Sequence, residues 1–257
     1  MEHDSEKSLK EFILNVLDSD DQGEYSSDES LPLAATPVDE PYAISVDEVH
    51  PEETDLYSEA VRQCGRLFSI LLQLREYYND YTYMMMVKAT FAFIASTFAE
   101  QRFLTQSKGL PVDSLRDQRD DSGFGLFFVL ALFPREYGIL PKENMPVIRM
   151  MVDYANDAND VLSYYKESIV GDEPASAFIL YSQSSGVSRA EALQQYINLS
   201  KRDIQRMEEY GCSAKIKKIM RRFIYSYVRW HVDSPRYQLD EILGDAGVYE
   251  GNPTRGP

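Results

Sequence analysis

The sequence predicts an all-α chain, on three observations. Apolar residues recur at helical spacing through most of residues 55–245, strand-like alternation is scarce, and the periodic runs end at Gly, Pro or an Asn/Asp pair. The chain of 257 residues is long enough to bury a sizeable core. Its 44% hydrophobic and 12% aromatic content lies in the globular range.

Taken in order, residues 5–17 (KSLKEFILNVL at the core of the run) have helical spacing and lead into Asp18-Ser19-Asp20-Asp21. Residues 22–54 carry Pro32, Pro37, Pro41 and Pro51 among Ser, Asp and Glu with no apolar period, which predicts a flexible acidic loop. From Leu56 to Phe103 the pattern gives two helices with a break at Asn79-Asp80. A third helix is expected from Asp113 to Phe133, ended by Pro134, and a fourth after Pro146 through VIRMMVDYANDANDVLSYYKE. Ser188 with Glu191 three residues on forms a capping box for a helix that ends at Gly211. A last helix covers Ser213 to Val232 and stops before Pro235. The domain plan is therefore a short helix over 1–21, the acidic loop over 22–54, one helical domain over 55–245 and a tail over 246–257.

Charge separates these parts. Residues 1–56 hold 17 acidic and 2 basic residues and so carry −15 of the net −16, while the remainder is nearly neutral. A body without a basic stripe speaks against nucleic acid as a partner. Two cysteines make neither a disulfide framework nor a metal-ligand spacing, which fits a reducing compartment. No run of eighteen apolar residues occurs, and the acidic start resembles neither a signal peptide nor a transit peptide. The expectation is a cytoplasmic protein without stable membrane insertion, and a homodimer stays open.

The segment that carries chemistry is Asn159-Asp-Val-Leu-Ser163-Tyr-Tyr-Lys166-Glu167. At about 100° per residue, Asn159, Ser163 and Glu167 project near 0°, 40° and 80°, with Lys166 near −20°, along roughly 12 Å of helix. An amide oxygen, a hydroxyl and a carboxylate are hard oxygen donors suited to Mg²⁺, and a lysine beside them suits a phosphate. The plain alternative is a solvated helix face. Similarly, the wide apolar arcs rich in Tyr and Phe read as either a thick core or an aromatic-lined pocket.

This segment resembles the second metal-binding motif of class I terpene cyclases, N-D-x-x-S-x-x-K-E, and NDVLSYYKE is close to the form found in the trichodiene synthase family. Three further segments agree in order. AFIASTFAEQRF resembles the helix before that family's active-site break. Arg119-Asp-Asp-Ser122-Gly123, followed eleven residues later by Pro134-Arg-Glu, resembles its diphosphate-sensing arginine, linker and effector carbonyl. Trp230-His-Val-Asp-Ser-Pro-Arg236-Tyr237 resembles its diphosphate-binding end. The resemblance covers about Leu56 to Leu243 and implies an antiparallel helix bundle of the class I terpene synthase type.

It also implies an enzyme that ionises an isoprenoid diphosphate, with farnesyl diphosphate the family's substrate, using three Mg²⁺ ions. Asn159, Ser163 and Glu167 would hold one ion, with Asp18 helping to hold the others. Arg119, Lys166, Arg236 and Tyr237 would neutralise the departing diphosphate, with Arg116 the alternative sensor. Gly123 would break its helix and turn a backbone carbonyl toward the ionising carbon. The residues alone leave other roles open: an ion pair for Arg119, a simple kink at Gly123, and a helix cap from Arg236 and Tyr237. His231 reads as structural. The chain departs from the family in offering D-S-D-D instead of D-D-x-x-D at Asp18, and in lacking the helices that precede that motif. A shortened enzyme with an open pocket would release linear or hydroxylated products. Two rivals are a head-to-tail prenyltransferase, which needs two aspartate-rich motifs, and a non-catalytic interaction protein with an acidic arm. Whether Asn159, Ser163, Lys166 and Glu167 line a cavity or face bulk water separates the last of these from an enzyme.

Overall fold

A helix that is apolar on several sides has to sit in the middle of a bundle, and α5 (Pro141–Tyr164) is that helix. Val147, Met151, Tyr154, Ala158, Val161 and Leu162 on it are all fully buried. The computed structural model describes residues 2–19, 54–103, 119–120, 122–171 and 176–244. Among the described residues there is no strand, as the all-α expectation requires. Of the predicted loop over 22–54 only Thr54 is described, and it begins a helix; the rest of that loop, the tail over 246–257 and Arg116 lie outside the described residues.

The other helices are α1 (Glu2–Asp18), α2 (Thr54–Leu74), α3 (Asp80–Phe103), α4 (Phe124–Ala131), α6 (Ala177–Ser185), α7 (Arg189–Glu209), α8 (Ala214–Asp233) and α9 (Leu239–Leu243). Helix α5 continues into a π-helical turn, Tyr165–Val170. Cross-helix bonds give the directions. Arg206 reaches Asp153 while Tyr196 feels Asp157 and Asp160, so α7 runs antiparallel to α5. Tyr154 donates to the Ile224 carbonyl and Asn159 meets His231, so α8 runs parallel to α5. Tyr78 donates to the Ala131 carbonyl and Phe93 meets Phe124, which makes α3 and α4 antiparallel. Leu9, Phe12, Ile13 and Val16 seat α1 on α7 and α8.

Local chemistry explains the boundaries. The Asn79 side chain accepts from the Thr82 N–H at 3.0 Å and starts α3, at the expected break. Ser188 and Glu191 form the reciprocal capping box, and Ser213 caps α8 through the Ile216 N–H. Two expectations need correction. The fourth helix begins at Pro141 and not after Pro146: Pro141 fills the first helical position, where its missing N–H costs nothing, and Glu143 accepts from the Leu140 N–H at 2.9 Å. Pro146 sits inside the helix on an exposed side, where water can take up the freed carbonyl. The third helix, of which residues 113–118 are not described, is interrupted at Gly123 and ends at Ala131. There the Leu132 and Phe133 N–H groups turn back on the Val129 and Leu130 carbonyls, two residues before Pro134.

Candidate active site

The polar side chains at the C-terminal end of α5 and on the π turn are largely withdrawn from solvent. Ser163 is 3% and Asp160 3% exposed, Asn159 is half-buried, and the side chains of Lys166 and Glu167 are 21% and 16% exposed. A polar group withdrawn from water must find partners or leave a cost of about 1–3 kcal/mol.

Arg119 supplies the central one. Its Nη2 donates to Asn159 Oδ1 at 3.1 Å and forms an ion pair and hydrogen bond with the buried Asp160 carboxylate. The alternative of an ion pair is thus realised, but the partner belongs to the metal-motif segment itself. Asp160 and Glu167 beside it hold the Arg119 guanidinium firmly protonated. Burial pushes the Asp160 carboxyl up, with Arg119 pulling it back only in part.

On the other side of Asn159, its Nδ2 donates to His231 Nε2 at 3.3 Å, and His231 Nδ1 donates to the Tyr227 carbonyl at 2.7 Å. Burial pushes His231 down to about 4, so the ring is neutral at pH 7. Tyr227 donates its hydroxyl to the Ala155 carbonyl at 3.1 Å, and burial raises both its phenol and that of Tyr237. Lys166 Nζ stands 3.0 Å from the Glu167 carboxylate and 5.5 Å over the Tyr237 ring. Glu167 in turn acts on both Arg119 and Tyr237. Arg119, Asn159, Lys166, Glu167 and Tyr237 therefore converge from three separate segments. Arg236 is exposed at the rim, 6.0 Å from the centre of the Tyr237 ring.

Lys166 and Glu167 lie on the π-helical turn, in which the Gly171 N–H reaches back to the Lys166 carbonyl at 3.0 Å. An i→i+5 turn uses more residues per revolution, so each residue advances by a smaller angle than in an α-helix. Glu167 consequently falls back toward the line of Asn159 and Ser163 instead of drifting to about 80° as the ideal wheel has it. A Cβ at Gly171 would sit 2.7 Å from the Lys166 carbonyl oxygen, so the residue after the turn has to be small.

Gly123 is a genuine helix break: its φ is +66°, and a Cβ there would run into the Ala89 carbonyl of α3. Its own carbonyl, however, accepts from the Phe127 N–H at 2.9 Å as the first rung of α4. A backbone carbonyl turned toward the substrate at this break is therefore not that of Gly123 itself. Downstream, Arg135 binds the Glu76 carbonyl and its N–H binds the Tyr77 carbonyl at 2.8 Å, so it fastens the turn between α2 and α3.

Asp18 is not brought to this face. It is exposed at the C-terminal end of α1, whereas Glu6 at the other end acts on Tyr165 and Lys10 binds the Leu243 carbonyl at 3.1 Å. Twelve residues of helix put Asp18 about 18 Å along the axis from Glu6. Helix α1 seats its apolar side on α7 and α8 with the end opposite Asp18 near the π turn.

The remaining donors suit one Mg²⁺. Asn159 Oδ1, Ser163 Oγ and the Glu167 carboxylate are all hard oxygens near one end of α5. Because Nδ2 is taken by His231, the amide presents its oxygen, not its nitrogen, to the charged side. Among the described residues there is no group of three or more His, Cys, Asp or Glu that could hold a metal.

A row of aromatic rings adjoins the break. Phe124 lies 4.6 Å from Phe128 and 6.4 Å from Phe93 between ring centres, and all three are exposed, as is Phe91. Asp160 and His231 are the further polar residues that the structure brings into contact with Arg119 and Asn159, and the sequence reading placed neither in the site. The helical spacing of Tyr227 and His231 on an otherwise apolar face was the only signal for the histidine.

A family model described as Trichodiene synthase (TRI5) matches residues 61–254. Trichodiene synthase of Trichoderma arundinaceum is 27% identical over 179 residues, 66% of this chain and 45% of that protein, and that of Trichoderma harzianum matches equally. Monoterpene synthase 25 of Postia placenta is 29% identical over 91 residues, 35% of this chain and 27% of its own length. The chain spans less than half the length of these curated relatives.

Proposed function

This chain belongs to the trichodiene synthase family, with its all-α terpene synthase fold, and from that premise we propose that it acts as a terpene synthase, ionising an isoprenoid diphosphate with Mg²⁺ and cyclising the cation. The observation that carries the reading is the convergence of Arg119 and Tyr237, which lie 40 and 78 residues from Asn159 in sequence, on Asn159, Lys166 and Glu167.

Asn159, Ser163 and Glu167 would hold the ion, which supplies Lewis-acid stabilisation of the leaving diphosphate. The protein's own part is placed positive charge. Arg119 keeps its guanidinium in position through Asp160, and both of its bonds leave from Nη2, so the rest of the fork can meet phosphate oxygens. Lys166 is held over the Tyr237 ring and beside Glu167, close enough to lend its charge to the same anion. The Tyr237 hydroxyl adds a donor, and Arg236 at the rim can meet the anion on entry. No side chain here acts as a nucleophile.

The aromatic row of Phe93, Phe124 and Phe128 begins directly after the break and offers ring faces to a hydrocarbon chain. Each could stabilise a carbocation by about 0.5–2 kcal/mol. Farnesyl diphosphate is the first substrate to try, on family kinship, with geranyl diphosphate second because one relative is named a monoterpene synthase. Burial of Ser163, Lys166 and Glu167 disfavours the interaction-protein reading, and a single Asn/Ser/Glu helix disfavours a head-to-tail prenyltransferase. The test is incubation of purified protein with each diphosphate and Mg²⁺, reading diphosphate release and volatile products. No release above the metal-free control with either substrate refutes the proposal.

A further inference from the structure

We infer that His231 is a positioning residue that fixes the Asn159 carboxamide with its oxygen toward the charged face; this rests on the metal role proposed for Asn159. Three hydrogen bonds run in one direction: Arg119 Nη2 to Asn159 Oδ1, Asn159 Nδ2 to His231 Nε2, and His231 Nδ1 to the Tyr227 carbonyl. Both ends of the chain are groups that cannot reverse, since a guanidinium has only donors and a backbone carbonyl only accepts. One imidazole tautomer and one amide orientation satisfy all three bonds. Turning the amide over would set Nδ2 against the Arg119 donors and Oδ1 against a nitrogen lone pair.

Tyr237 does not set this direction, because a hydroxyl can donate or accept, and Tyr227, which gives its one proton to the Ala155 carbonyl at 3.1 Å, can at most accept from the same Nδ2. His231 sets it, and its geometry is fixed from every side. It is 0% exposed, and its ring centre lies 4.4 Å from that of Tyr237, 4.7 Å from Tyr227 and 4.8 Å from Trp230. An amide nitrogen cannot ligate a cation, so an amide free to turn would present the wrong atom part of the time. The buried histidine removes that alternative.

The test uses the full chain, with Mn²⁺ and inorganic diphosphate as the probe and metal affinity read by electron paramagnetic resonance. H231F should weaken Mn²⁺ binding roughly 10–100-fold, the usual effect of losing a partner that orients a ligand. H231Q, whose side-chain oxygen can accept where Nε2 did, should recover most of it. In an N159D background H231F should matter little, because a carboxylate has two equivalent oxygens and no wrong orientation. Equal affinity of H231F and wild type, or a full loss that persists beside N159D, overturns the inference. Wild-type protein that binds no Mn²⁺ at all is a different result, and refutes the function proposed above. Long-range ¹H–¹⁵N correlation on the wild-type protein should show the proton on Nδ1 with Nε2 bare. The opposite tautomer overturns the inference whether or not any variant folds.

Discussion

Replacing Arg119 by Met strands the Asp160 carboxylate, which is 3% exposed and loses the cation that compensates it. Breaking a buried pair from one side costs about 3–5 kcal/mol, because the remaining charge keeps its desolvation penalty. The Arg119 side chain is 40% exposed, so water can reach the vacated position and the lower bound applies, about 3 kcal/mol. For a folded body of this size that is a fall in Tm of about 6–12 °C. Adding D160N removes the stranded charge at nearly constant volume and should return most of the loss. The pH dependence has a definite sign. Burial raises the Asp160 carboxyl and Arg119 alone opposes it, so the variant's folded-state value rises further above the unfolded one. A carboxyl raised on folding contributes stability that is whole below its unfolded value and is lost as pH rises through the folded value. The gap between wild type and R119M should therefore be widest at neutral pH and narrow as pH falls into the carboxylate range. Thermal and urea unfolding of wild type, R119M, D160N and the double variant, from about pH 4 to pH 8, measures it. An unchanged Tm for R119M at neutral pH, or a double variant no better than R119M, refutes the view that this pair is held out of water.

Gly123→Ala should cost about 1–3 kcal/mol from the positive φ alone, and more from contact with the Ala89 carbonyl, read as a lowered unfolding midpoint. Gly171→Ala should displace the π turn by crowding the Lys166 carbonyl, and weaken binding of Mg²⁺ with diphosphate more than it lowers Tm; the reverse pattern would count against the turn as the device that aligns Glu167. Substituting Asn159, Ser163 and Glu167 together by Ala should abolish Mg²⁺-dependent diphosphate release, and activity surviving the triple change would disprove the metal assignment.

What could be read from the sequence was what local chemistry decides. Ser188 with Glu191, Ser213 and Asn79 act on backbone groups within three residues, so the letters alone place these helix starts. Gly123 was readable as a break for the same reason, and its φ of +66° is the conformation that glycine's freedom permits. Pro146 misled because proline's penalty depends on whether water reaches the freed carbonyl, and that is a property of the surface. Asp18 differs in another way. An acidic run after a helix looks the same whether the helix end meets the site or points away, and only the seating of α1 on α7 and α8 decides it.

The charged face is harder to read because its letters answer to two demands at once. A helix as buried as α5 can carry Asp153, Asp157, Asn159, Asp160 and Ser163 only if their polar atoms are compensated. Asp160 illustrates the point: on the wheel it points about 100° from Asn159, away from any shared ligand. Its use is to hold Arg119, and Arg119 then reaches Asn159 Oδ1. Asp160 and His231 thus support Asn159 from opposite sides without facing the ligand themselves. A cation arriving at Asn159 Oδ1 would compete with the Arg119 bond there, yet the guanidinium would stay in place through Asp160 and could turn its other nitrogens to the anion. Loss of Asp160 should therefore loosen the hold on diphosphate while leaving the donor oxygens of Asn159, Ser163 and Glu167 intact, which is a different defect from loss of His231.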